Sequence, residues 1–302
     1  MKRFLCFMAL ALLLGSCLMP SMAEEVPVET GAFRLPIDLS GGKAPAEDRY
    51  LSETLYSDPS IRVEITSGRV QLEENVGCDY WVADVVIADA SQLRTQPANS
   101  FDGPSGDMPM SRIVDRVKAV VAMNGDYFCY SGYGLILRQG KVYLNRLRRG
   151  RDVLAIDEDG DFHGFYKPGF EEVPLEVDGK KLINAFYFGP ILYDHGKVCE
   201  DFNYPDMGPL NRSQRIALCQ AGPLHYKIIA CGNTDQYFRG MTLQEFAEFV
   251  STQEIEFAYN LDGGNSSGFF FHNQKVNAIS NTEFRSLVDI IYFASAWEGD
   301  AP

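Results

Sequence analysis

Two short segments concentrate side chains that can do chemistry. Asn124-Gly125-Asp126-Tyr127-Phe128 and Asn260-Leu261-Asp262-Gly263-Gly264-Asn265-Ser266-Ser267-Gly268 each follow an apolar run, and each combines an amide, a carboxylate and glycine. A carboxylate there can act as acid, base, nucleophile or cation ligand, while glycine lets backbone N–H groups approach a ligand closely. Taken singly, each also reads as a turn, since Asn-Gly is a strong hairpin signal. Tyr127 and Phe128 tilt the first toward a site, because aromatics beside a turn can wall a pocket. The recurrence of Asn and Asp at two strand ends tilts both.

Two arginines stand at strand mouths, Arg215 before Ile216 and Arg285 shortly before Val288. Most arginines so placed are solvated rim residues; the functional alternative is a bidentate grip on phosphate or carboxylate. His163, His195, His225 and His272 show no metal-ligand spacing and read as structural. No Walker loop, GxGxxG or G-x-S-x-G motif occurs.

The elements that must position these residues are mostly strands. Ile61–Ile65 alternates with period two, and Tyr80–Ala88 and Ala119–Met123 are apolar and β-branched, as interior strands are. Hairpins are expected around Gln139-Gly140, Asp159-Gly160 and Asp194-His195-Gly196, with further strands at 216–220, 226–230, 258–261, 268–271 and 288–294. Met110–Lys118 reads as a short amphipathic helix. A second helix follows Thr242, which with Glu245 makes a T-x-x-E capping box ahead of the apolar stripe Leu243, Phe246, Ala247 and Val250. No internal repeat or linker divides residues 51–295, and one domain is expected over 51–302. The expected fold is a single α+β domain with its core at about 80–295: a mixed, hairpin-rich β-sheet packed by a few helices.

The first 23 residues have the order of a secretory signal peptide: Lys2 and Arg3, an apolar run from Phe4 to Leu14, then Ser21-Met22-Ala23. Leu14-Gly15-Ser16-Cys17 offers a rival lipoprotein reading, with Cys17 lipidated. The apolar run is too short for a permanent membrane span. Residues 24–50, rich in Pro, Gly and charge, read as an exposed lead-in. The chain carries a formal net charge of −14, and losing Lys2 and Arg3 makes it −16. Such acidity argues against nucleic acid and anionic lipid as partners, but leaves room for a small anionic substrate held by local arginines. Export permits disulfides, yet Cys78, Cys129, Cys199, Cys219 and Cys231 are odd in number and read mainly as buried thiols.

At this point the residues resemble a family. Asn124-Gly125-Asp126-Tyr127-Phe128, the hairpin with Arg138-Gln139-Gly140-Lys141, Phe188-Gly189-Pro190-Ile191-Leu192, Arg215-Ile216-Ala217, Gly240 to Ala247, Asn260 to Ser267 and Arg285 look like those of the phosphodiester glycosidases, relatives of the uncovering enzyme. The resemblance covers roughly residues 80 to 295. It implies an exported hydrolase that cleaves a sugar-1-phosphodiester between the anomeric carbon and a phosphate-bearing leaving group. Because that group leaves readily, charge stabilisation matters more than strong acid assistance. The resemblance implies catalytic roles for Asp126, Asp262, Arg215 and Arg285. It implies substrate contacts from Asn124, Gly125, Tyr127, Asn260, Gly263, Gly264, Asn265 and Ser266. No cofactor is expected, although a divalent cation at Asp126 and Asp262 stays open, and the expected partner is a carbohydrate phosphodiester.

Departures from the pattern bear on substrate choice. Asp126-Tyr127 replaces Gly-Phe of the mammalian-type motif, Asn265 stands where a third glycine is often found, and Phe202–Asn211 with Asp206 looks like a lineage-specific loop. Two other readings compete. One is a non-catalytic exported glycan-binding module on the same fold, which could lose its acids and arginines. The other is a cation-stabilised envelope protein using Asp126, Asp206 and Asp262, without EF-hand spacing to support it.

Overall fold

The computed structural model describes residues 24–102, 106–128, 134–147, 150–168, 172–204, 208–233, 240–277 and 284–299. The signal segment with Cys17, and also Cys129 and Asp206, lie outside the described residues.

The α+β expectation is corrected: the protein is mostly β. Twenty strands and two α-helices, Met110–Val117 and Leu243–Val250, occur among the described residues. The expected single mixed sheet is instead three sheets of nine, six and five strands, with antiparallel pairings throughout. The physical reason is local. Parallel neighbours need a long crossover, usually helical, whereas this chain mostly reverses through short turns. At Gln139-Gly140 both residues have positive φ, 49° and 74°, the backbone of a two-residue hairpin turn whose twist matches its strands.

The main core lies where the three sheets meet. Ile61, Val63 and Val85 come from the nine-stranded sheet, Leu154, Ile156 and Phe186 from the six-stranded one, and Val121, Met123, Phe269, Ile291 and Phe293 from the five-stranded one. Strict alternation sends the intervening residues the other way. Ala122, Phe270, Ile290 and Tyr292 pack with Met110, Ile113, Val114 and Val117 of the first helix. Both faces of this sheet are therefore covered, which explains why its strands read as unbroken apolar runs despite being antiparallel. The second helix covers the outer face of the nine-stranded sheet, with Leu243, Phe246, Ala247 and Val250 on Ala217, Cys219 and Ile229. Its capping box forms as expected: the Thr242 hydroxyl accepts from the Glu245 N–H, and the Glu245 carboxylate accepts from the Thr242 N–H.

Segment 24–49 is largely exposed, but it is tied down. Leu35 is buried, and the fully buried Arg94 donates to the carbonyl oxygens of Pro36, Asp38 and Ser40 and to the Tyr292 hydroxyl. Such a charge tolerates burial because backbone acceptors surround it. Among the described cysteines, Cys78, Cys199, Cys219 and Cys231 are free thiols. Each histidine pairs with a carboxylate, His163 with Asp157, His195 with Asp194, His225 with Asp84 and His272 with Glu47.

Candidate active site

Strand Ala119–Asn124 lies between Phe269–Phe271 and Asp289–Ala294 in the five-stranded sheet. Strand Phe257–Asn260 belongs to the nine-stranded sheet. The two Asn/Asp/Gly turns thus leave different sheets, and Asn124 joins them. Its side-chain amide donates to the Asp262 carbonyl at 2.8 Å, and its oxygen accepts the Gly268 N–H at 3.0 Å. Asn124 is buried, so both halves of the amide must find such partners.

Behind this joint lies a buried layer of charge. Asp126 accepts from Arg138 Nη2 at 2.8 Å and from the Tyr187 N–H at 2.9 Å. Arg138 also lies 3.7 Å from Asp289 Oδ2, and all three side chains are essentially inaccessible. The Arg138 guanidinium sits 4.5 Å from the Phe186 ring centroid and 5.5 Å from that of Phe101, a favourable place for a desolvated cation. One guanidinium between two carboxylates leaves a surplus negative charge. Burial, and then the Asp126 charge, push the Asp289 carboxyl up to about 8, with Arg138 opposing. Both effects favour the protonated form of Asp289. Its Oδ2 has no hydrogen-bond partner among the described residues. Gly125 is required here, because a Cβ would collide with the Asp289 carboxylate.

In front lies an open layer. Arg285 donates from Nε to Ser266 Oγ at 2.6 Å and from Nη2 to Asp262 Oδ2 at 3.0 Å. Its guanidinium is 5.1 Å from the Tyr127 ring centroid. Tyr127 has φ of 61°, a left-handed conformation rare for a bulky residue and typical of functional sites. The Arg285 side chain is 48% exposed and that of Asp262 18%. Burial raises the Asp262 carboxyl, while hydrogen bonds from Ser266 and the Arg285 charge oppose the rise. Glycines shape the turn: a Cβ at Gly263 would lie 2.5 Å from the Gln214 carbonyl oxygen, and Gly264 has φ of 58°.

The structure therefore brings together Asn124, Gly125, Asp126, Tyr127, Asp262, Gly263, Gly264, Ser266 and Arg285. Asn265 is exposed, and its carbonyl accepts the Arg285 N–H at 3.3 Å. Two residues face elsewhere. The Asn260 amide donates to the Gly189 carbonyl at 2.8 Å. The Arg215 guanidinium is buried and donates to the carbonyls of Met241, Gly208 and Asn211. Asp289 and the side chain of Arg138 were not singled out from the sequence as site residues, although a charge bordering an apolar strand was a signal for each. Among the described residues no group of three His, Cys, Asp or Glu side chains is placed to hold a metal ion, and Asp126 and Asp262 each face a guanidinium.

Several known proteins share this architecture. The catalytic domain of zebrafish N-acetylglucosamine-1-phosphodiester alpha-N-acetylglucosaminidase, described as auto-inhibited by pro-peptide, superposes with a TM-score of 0.62 at 14% identity, over 84% of this chain and 87% of that one. A hypothetical protein from Synechocystis superposes with a TM-score of 0.51 at 16% identity, over 80% of this chain and 64% of that one. These likenesses establish the fold. No curated protein matches the sequence. The family model for phosphodiester glycosidases matches residues 117–294, a span that contains both turns and every charged residue of the two layers. The chain belongs to the phosphodiester glycosidase family.

Proposed function

We propose that the protein is an exported hydrolase that cleaves the bond between the anomeric carbon of a sugar and a phosphodiester oxygen. The observation that carries this reading is the joining of the two turns by Asn124, which sets Asp262, Arg285 and Tyr127 on one open face in front of a buried Asp–Arg–Asp layer. Arg285 faces solvent with a planar donor fork suited to a phosphate. Asp262, partly exposed beside it, suits the anomeric side. Asp126, Arg138 and Asp289 are too buried to touch a substrate and act as positioning residues that hold Gly125 and Tyr127 in place. Arg215 donates to the carbonyls of Gly208, Asn211 and Met241 and is a positioning residue of that loop.

The chemistry balances on this chain's own residues. The C1–O bond breaks, its electron pair staying on the phosphate oxygen, where Arg285 offsets the charge. Water adds to the oxocarbenium-like carbon and gives its proton to the Asp262 carboxylate. The products are a free sugar and a phosphate monoester. The N-terminal pattern supports action outside the cytoplasm; exported protein starting at Glu24 fits the signal-peptide reading, and a lipid on Cys17 fits its rival.

Hydrolysis of a panel of sugar-1-phosphodiesters in heavy-oxygen water tests the reading. Label is expected in the sugar and not in the phosphate. Label in the phosphate would mean P–O cleavage and sink the assignment. Binding of the panel without turnover would favour a non-catalytic glycan-binding module.

A further inference from the structure

Two thiols lie together on the outer face of the nine-stranded sheet. Strands Val76–Ile87 and His225–Gly232 pair antiparallel, with Cys231 opposite Tyr80 and Gly232 opposite Asp79. Alternate residues of a strand share a face, so Cys78 falls on the face of Tyr80 and Cys231, one diagonal step from Cys231. Both cysteines are fully buried in the cluster that helix Leu243–Val250 covers. The Cys231 thiol hydrogen-bonds to Cys78, so the two sulfur atoms are in contact. Cys78 also reaches the Asp79 carbonyl, to which its thiol donates at 3.4 Å.

A buried cysteine is ordinarily an inert core residue. Cys219 is of that kind, in the same cluster but opposite Lys227. The pair differs in its surroundings. Gly77 precedes Cys78 and Gly232 follows Cys231, and glycine lets the backbone adjust on either side. Gly232 and Asp79 also form the last backbone pair of this ladder among the described residues. Past them the Asn233 side chain takes over, accepting the Asp79 N–H at 3.0 Å and donating to the Gly77 carbonyl at 2.9 Å. A side-chain clamp astride Cys78 yields more readily than a sheet ladder, which leaves room for the closer approach that a covalent bond requires.

We propose that Cys78 and Cys231 are an oxidisable pair that closes into a disulfide, a covalent clamp between strands Val76–Ile87 and His225–Gly232. Closing it takes one proton and one electron from each thiol. A low-molecular-weight disulfide accepts both electrons and both protons and is reduced to two thiols. The extracytoplasmic compartment proposed above is oxidising, but the pair is defined by the fold and does not depend on export. The bond joins residues far apart in the chain, where a cross-link restricts the unfolded state most. Cys231 also lies opposite Arg215, whose guanidinium donates to the carbonyls of Gly208 and Asn211. The clamp thus secures the strand against which Arg215 pairs.

The test uses the full chain, first reduced and then incubated with oxidised glutathione in the absence of denaturant. Remaining thiols are alkylated after unfolding, and the peptides are mapped by mass. The expected product is a cross-linked peptide pair joining Cys78 to Cys231, with Cys219 alkylated as a thiol. The oxidised chain should melt about 10 °C above the reduced one. Cys231→Ala should lose both the cross-link and the oxidant-dependent rise in Tm. Recovery of Cys78 and Cys231 as alkylated thiols, or as mixed disulfides with glutathione, overturns the proposal. So does a bond from either one to Cys129, Cys199 or Cys219. A cross-link that leaves Tm unchanged overturns the clamp, as does a rise in Tm that survives in Cys231→Ala. If that variant does not fold, the peptide map and the Tm of the native sequence decide.

Discussion

The two layers of the site use the same residue types for different ends. In the open layer an aspartate and an arginine, Asp262 and Arg285, lie 3.0 Å apart with the guanidinium about half exposed. In the buried layer Asp126 and Arg138 lie 2.8 Å apart with neither accessible. A pair near water adds little to stability, so the open pair is free to exchange partners with a substrate. Breaking a buried pair leaves an uncompensated charge, which costs far more. The difference teaches that exposure, rather than residue identity, separates groups that meet substrate from groups that hold the site in shape.

The sharpest way to break that comparison is to remove the buried cation. Arg138→Met should destabilise the fold by about 3–5 kcal/mol, because the Asp126 carboxylate then lies buried beside Asp289 without a counter-charge. That corresponds to a Tm loss on the order of 10 °C. Adding Asp126→Asn should recover part of it. A thermal scan in which Arg138→Met melts like the native chain would show that the layer is not an electrostatic unit.

A smaller effect concerns Asp289. Its carboxyl is raised from 3.8 to about 8, burial being the largest cause. The folded state therefore keeps a proton that the unfolded chain releases above about pH 4. The stability this contributes is complete below about pH 4 and is lost as pH rises through about 8. Asp289→Asn, which mimics the protonated form, should flatten the decline of stability measured by denaturant titration across that window. In the native chain kcat is expected to fall as pH rises through the same window, and in the variant it is expected not to. An unchanged pH profile in the variant would remove Asp289 from the account.

Much of this was legible in the sequence, and the exceptions share a cause. Both turns, the capped Thr242 helix and the Gln139-Gly140 hairpin are local patterns, set by glycine conformations, capping groups and side-chain periodicity. Asp289 belongs to no such pattern, because it opens an otherwise apolar strand and Asp126 is far away in the chain. Arg138 read as part of a hairpin for the same reason: only the folded sheet brings its guanidinium between two carboxylates. Arg215 shows the converse, a strand-mouth arginine whose side chain turns to backbone carbonyls. The balance of helix and strand is not a local pattern either. Two eight-residue helices cover only the outer faces of sheets that otherwise pack on one another.

The central claim is that the open layer does the chemistry while the buried layer holds the shape, and Asp262→Asn tests it most directly. With kcat measured on a sugar-1-phosphodiester and Tm on the same preparation, the account predicts a loss of about a thousandfold in kcat and a Tm within about 3 °C of the native protein. A kcat within tenfold of the native value, or a collapse in Tm like that expected for Arg138→Met, would contradict it.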